Sequence, residues 1–264
     1  MYIYYVKIAL RNILKNPGYA TINIVGLAIG MACSLLLFLW IMHELSYDRF
    51  HANADDLYRV VQEVHFSDHT TTWAVTQGQL GPHLKEDFPE VISYTRFAIN
   101  EFLLTYGDKN FDETLVLADG TMFDMFSLPL VSGDPSTALS SPASIVLTEG
   151  AAKKYFGSQD PVGKVMVADH QYEFTVTGVM QQIPDNSIFQ YAEFFIPFIY
   201  GRQLDGRKGH FPVDRWNSSS FHTMIQLAPG TSRQTFENKI SPYLKNKPTI
   251  EKDSRLRLQP FTRI

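Results

Sequence analysis

His65 and His69 stand four residues apart, the spacing at which a helix would put two imidazoles on one face and offer them to a metal ion. They close a loosely alternating, β-branched stretch, Leu57–Phe66, that reads as a strand. In a strand, positions i and i+4 separate by about 13 Å at about 3.3 Å per residue, so a shared metal is not expected. The remaining histidines of the eight are scattered. Gly157–Lys164 (GSQDPVGK) holds a glycine and a lysine, but without the spacing of a phosphate-binding loop. Neither G-x-S-x-G nor H-E-x-x-H occurs. Asp185-Asn186-Ser187 reads as a turn, and Glu101, Asp108 and Glu113 as a solvated acidic face. We therefore expect no catalytic residue, no cofactor and no metal ligand, and read the chain as a non-enzyme without nucleotide-binding motifs.

With no reactive constellation to position, the elements themselves carry the information. Gly18 to Met42 is a run of 25 residues without a charge. As a helix it rises about 37 Å, enough to cross a hydrocarbon layer of about 30 Å with some tilt. A cleaved signal peptide would have a shorter apolar core and a small-residue cleavage site, whereas this run ends in Phe38-Leu39-Trp40-Ile41-Met42. A lipid-modified Cys33 is disfavoured as well, because nine more uncharged residues follow it. Lys7, Arg11 and Lys15 precede the run, with no acid; Glu44, Asp48, Asp55 and Asp56 follow it against Arg49. The basic flank marks the cytoplasmic side, which predicts a cytoplasmic N-terminus in the inner (cell) membrane and a periplasmic main domain.

Lys7, Arg11 and Lys15 also recur every four residues, opposite Ile3, Val6, Leu10, Ile13, Leu14 and Pro17. That pattern predicts an amphipathic helix over 1–17 lying against membrane lipids at the cytoplasmic interface, broken at Asn16-Pro17-Gly18. The alternative is a simple basic topogenic flank that needs no helix. Inside the span (18–42), Gly26, Gly30 and Ser34 form a small-residue stripe on which another helix could pack closely. Glycine is also common in membrane helices without packing.

Cys33 is the only cysteine, so the outer part has no disulfide and must be held by its own core. After Met42 come 20 of the 23 basic residues and all 27 acidic ones, a net charge of −7 that argues against nucleic acid as a partner. A strand at Leu57–Phe66, a helix within Val75–Asp87 and strand character over Val91–Leu104 make one strand–helix–strand unit. Phe221–Leu227, a helix capped by Thr231 or Ser232, and Arg255–Phe261 make another. The expected fold is α+β: one transmembrane helix, then a ferredoxin-like βαβ subdomain (about 43–104 and 211–264) carrying an inserted, mostly-β subdomain (about 105–210). The insert has strand candidates at Leu115–Ala118, Ser144–Thr148, Lys164–Val167 and Tyr172–Met180, and a short helix at Glu149–Phe156 ended by Gly157.

These segments resemble, in order, the FtsX-like ABC transporter permease family with a MacB-type periplasmic core domain. Leu10–Asn16 and Ile24–Gly30 resemble its leading helix and first span. Glu44–His51 followed by Leu57–Val60 resembles its first extracytoplasmic turn. Phe123–Phe126, Gly133-Asp134-Pro135, Ser144–Thr148, Lys154–Gly157, Asp160–Lys164, Val176–Val179, Ile183–Ser187 and Leu258-Gln259-Pro260 resemble the core domain. The resemblance implies a permease subunit driven by a cytoplasmic ABC ATPase, with a second permease copy and a periplasmic partner protein as further possible partners. It implies export or mechanical work outside the inner membrane. It also implies that 1–264 is the N-terminal part of a longer subunit, with further spans beyond Ile264. The alternative from a different class is a single-span anchored extracytoplasmic binding or sensor module that needs no ATPase.

Overall fold

The computed structural model describes residues 2–201, 213–248 and 253–264, in two units, Met1–Tyr47 and Asp48–Ile264. The first unit is two helices, α1 (Tyr2–Lys15) and α2 (Pro17–Leu45), with Asn16 between them. Pro17 opens α2, where its missing N–H costs nothing because the first helical amides lack partners anyway. No residue of α2 is buried, and it is the one helix among the described residues long and apolar enough to cross a membrane. The side chains of Ile3, Val6, Leu10 and Ile13 lie outside the described ones.

The second unit is a twelve-stranded mixed sheet, counted among the described residues, with helices on it. Its elements are β1 (Leu57–His65), β2 (Thr70–Trp73), β3 (Thr76–Gln77), α3 (Leu80–Asp87), β4 (Val91–Tyr106), β5 (Lys109–Ala118) and α4 (Met122–Met125). After them come β6 (Leu130–Ser132), β7 (Ser144–Thr148), α5 (Glu149–Phe156), β8 (Val165–Ala168), β9 (Tyr172–Met180), β10 (Phe194–Pro197), β11 (Ser219–Leu227), α6 (Arg233–Ile240) and β12 (Ser254–Pro260). The strand order is β12-β1-β11-β4-β5-β10-β7-β9-β6. The first four strands, with α3 and α6 in the crossovers, are the ferredoxin-like split βαβ arrangement. Leu80 and Leu84 of α3, Phe236 and Ile240 of α6, and Val60, Ile225, Leu256 and Leu258 of the strands form one core cluster there.

β4 joins this half to the rest. Its first residues pair with β11 and its later ones, from Phe97, with β5. At the changeover Arg96 grips Asp119 with two side-chain bonds of 2.8 Å, donates to the Gly78 carbonyl, and lies 3.9 Å from the centre of the Phe198 ring. This bidentate, ring-backed pair fixes the line along which the two halves share one strand. The expected boundary at 210–211 lies outside the described residues.

Two sequence expectations change. The helix within Val75–Asp87 begins only at Leu80, and Thr76–Gln77 pair with β11 instead. Pro82 then falls in the first turn of α3, where a proline is tolerated. Glu113 is not on a solvated face: it is 7% exposed, with Lys154 Nζ and the Tyr155 hydroxyl each 2.7 Å from its Oε1. Glu101 is exposed, as is Asp108. His65 lies in β1 and His69 beyond it; they contact Glu63 and Asp68 respectively, and no cluster of metal-binding residues occurs among the described residues.

Candidate functional site

Asp48 is the first residue of the sheet unit, three positions after the end of α2, and it is 1% exposed. Its backbone has φ +54°, a left-handed conformation that aspartate tolerates better than most residues. That kink turns the carboxylate inward. Oδ1 accepts from the Ser187 hydroxyl at 2.8 Å, and both oxygens accept from the Ile188 amide at 3.2 Å. The Asp48 amide in turn donates to the Asn186 carbonyl at 2.8 Å. The Asp185-Asn186-Ser187 segment is thus a turn whose serine is buried and tied to a residue 139 positions earlier.

His51, also buried, closes the other side. Its Nδ1 donates to the Phe126 carbonyl. Its Nε2 lies 3.4 Å from Asp48 Oδ1, outside hydrogen-bond geometry. The Ala52 amide donates to Ser127 Oγ at 3.0 Å, and Ser127 is itself left-handed at φ +46°. Around these polar ties the rings interlock: His51 is 5.3 Å from Phe261, and Phe126 is 5.0 Å from both Phe189 and Phe261. Phe97 continues the cluster to His222, stacked at 4.9 Å. Burial, aided by the Arg59 cation, holds that imidazole below its ordinary pKa, and a bond to the Ala74 backbone opposes the shift.

Four segments distant in sequence therefore meet at one joint: 48–52 after α2, 126–127 after α4, 186–189 before β10, and Phe261 after β12. In the joint the Ser187 hydroxyl is committed to the Asp48 carboxylate and His51 Nδ1 to a carbonyl, while His51 Nε2 has no hydrogen-bond partner among the described residues. The joint ties the first residues of the sheet unit to three of that unit's own loops.

The residues singled out in the sequence lie in the first unit. Lys7, Arg11 and Lys15 run along α1 and are exposed. Gly26 and Gly30 have nothing within 4 Å of where a Cβ would stand, and Ser34 Oγ donates to the Gly30 carbonyl at 2.9 Å, on the same face one turn apart. Asp48, His51 and Ser187 escaped sequence reasoning as a site. Each sits in a segment that carries the family resemblance, but nothing in their spacing reveals that they touch.

The family described as MacB-like periplasmic core domain matches residues 20–243. The fold is similar to a domain of a protein described as a permease from Porphyromonas gingivalis (TM-score 0.69, 21% identity, 81% of this chain and 93% of that chain). It is also similar to the periplasmic region of MacB from Actinobacillus actinomycetemcomitans (0.56, 19%, 77% and 88%). A third similar structure is the extracellular domain of the noncanonic ABC-type transporter YknZ from Gram-positive bacteria (0.56, 16%, 76% and 98%). No curated protein matches the sequence.

Proposed function

Because the chain belongs to the MacB-like periplasmic core domain family of ABC transporter permeases, which implies an ABC ATPase partner in general, we propose that it couples ATP hydrolysis inside the cell to work outside it. The apolar helix and a periplasmic-type domain together point to membrane anchoring. In this reading α1 lies on the cytoplasmic face with Lys7, Arg11 and Lys15 toward lipid headgroups, and α2 crosses the inner membrane. Gly26, Gly30 and Ser34 receive neighbouring spans of the assembled permease, and the sheet unit meets a periplasmic protein or cargo.

The observation that carries the reading is the joint at Asp48. A tethered binding module needs only a slack linker after its anchor. Here the third residue after the helix is buried, kinked into a left-handed conformation and bonded to a distant loop. In the proposed coupling, this connection would pass a shift or tilt of α2 into the sheet unit. The test is the intact transporter with its ATPase. Asp48→Asn should leave basal ATP hydrolysis in place while abolishing the work done outside. Reading the coding DNA beyond Ile264 separates the classes: further spans and a neighbouring ATPase gene agree with a permease, and a stop codon with neither agrees with an anchored sensor.

A further inference from the structure

Beside the joint lies a cavity of about 490 Å³ lined by Arg49, His51, Ala52, Asp55, Thr262 and Arg263 among others. Its walls come from the turn after α2 and the turn after β12, so one pocket joins segments far apart in sequence. Arg49 and Arg263 are exposed, and neither guanidinium makes an ion pair or a side-chain hydrogen bond among the described residues. Asp55 lines the same cavity, yet comes within 4 Å of neither. Two forked cations against one carboxylate leave a positive pocket in a region whose net charge after Met42 is −7. His51 forms part of the lining, with its Nδ1 committed to the Phe126 carbonyl and its Nε2 without a hydrogen-bond partner among the described residues.

We propose that this pocket binds the phosphate of a phospholipid headgroup. The guanidinium fork matches tetrahedral phosphate oxygens better than any other side chain does, and the Thr262 hydroxyl adds a donor. The source follows from place along the chain, and here the inference rests on the reading that α2 spans a membrane. The helix has 29 residues and rises about 43 Å, against about 40–45 Å for a bilayer with its headgroups. Arg49 follows Leu45 by four residues, at most about 14 Å of chain, so it stays within reach of the headgroup layer. A lipid held there would pin the turn after α2 and the turn after β12 to the bilayer surface together.

The full chain in detergent, titrated with phosphatidylglycerol and read by native mass spectrometry, tests the idea. Wild type should retain one phosphatidylglycerol that the Arg49→Gln/Arg263→Gln pair binds about tenfold more weakly, whereas Lys153→Gln/Lys245→Gln, at exposed residues outside the pocket, keeps it. Wild type should also prefer phosphatidylglycerol to a diacyl glycolipid without phosphate, a comparison that needs no variant. Equal retention by the Arg49/Arg263 pair, or equal retention of the phosphate-free lipid, overturns the proposal. Displacement of the lipid by inorganic phosphate at equal molarity overturns the lipid as the source. Lipid retention is read without ATPase or transport, so its failure leaves the proposed coupling untouched, and failed coupling leaves the pocket untouched.

Discussion

Asp48 and Glu113 are both buried carboxylates, and they are held in opposite ways. Asp48 is satisfied by neutral donors, a serine hydroxyl and an amide, with a histidine alongside. Glu113 takes a lysine and a tyrosine on one oxygen, and that lysine is 38% exposed. The first arrangement is dry and directional, and tolerates no replacement of the acceptor. The second is half open to water, where screening weakens the charge attraction and the tyrosine hydroxyl still finds an acceptor if the charge is removed. The proposed coupling assigns transmission to the first arrangement; the second fastens α5 to β5.

The contrast predicts unequal losses. Asp48→Asn keeps a residue at ease with φ +54° but takes away the charge and turns a donor toward the Ile188 amide or the Ser187 hydroxyl. We expect a loss of about 2–3 kcal/mol in chemical denaturation. Ser187→Ala, which leaves the Ile188 amide in place, should cost about 1 kcal/mol. Glu113→Gln should cost about 1 kcal/mol or less, because the Tyr155 hydroxyl retains its acceptor and the exposed lysine returns to water. If Glu113→Gln proves as damaging as Asp48→Asn, the distinction between joint and fastening fails.

Alkaline titration sharpens the same contrast. Burial, and then Glu113, push the Tyr155 phenol well above its ordinary pKa of 10.0, and burial pushes Tyr200 up to about 12. Both phenols keep their proton in the folded chain at a pH where the unfolded chain loses it. Their contribution is therefore complete below pH 10 and is lost as pH rises from 10 toward 12 and beyond. Absorbance at 295 nm should show Glu113→Gln moving one tyrosine back toward ordinary titration, with Asp48→Asn leaving that tyrosine where it was.

The smallest effect is expected in α2. Gly30→Leu and Ala28→Leu should each leave the unfolding of the sheet unit unchanged within about 0.5 kcal/mol, since a Cβ at Gly30 meets nothing and Ala28 is exposed. In the assembled permease only Gly30→Leu should weaken assembly, because the two positions point about 200° apart at about 3.6 residues per turn. Equal behaviour of the two there removes the packing role from the stripe.

What could be read from the sequence was local. The uncharged run matches α2, the strand candidate at Tyr172–Met180 is β9 with the same ends, and Gly157 stops α5 by taking φ +66°. Ser232 caps α6 by accepting from the Thr235 amide. β10 was missed because Phe194–Pro197 is buried at every position and so lacks the alternation that marks a half-exposed strand. α4 has four residues, too few to set a helical period. Glu113 looked solvated because its partners lie 41 and 42 positions on, and Asp48 finds Ser187 across 139. A buried polar tie is a property of the folded neighbourhood, and no spacing rule along the chain encodes it.

The joint itself is tested most directly by a distance measured across it. Cys33 in α2 takes one spin label and a cysteine at the exposed Ser67 takes the other, in the intact transporter with its ATPase, with and without bound ATP. ATP should shift the distance distribution in the wild-type background and leave it unshifted or broadened in Asp48→Asn. An identical ATP-dependent shift in both would mean that the sheet unit follows the membrane helices without the Asp48 joint, contradicting the account.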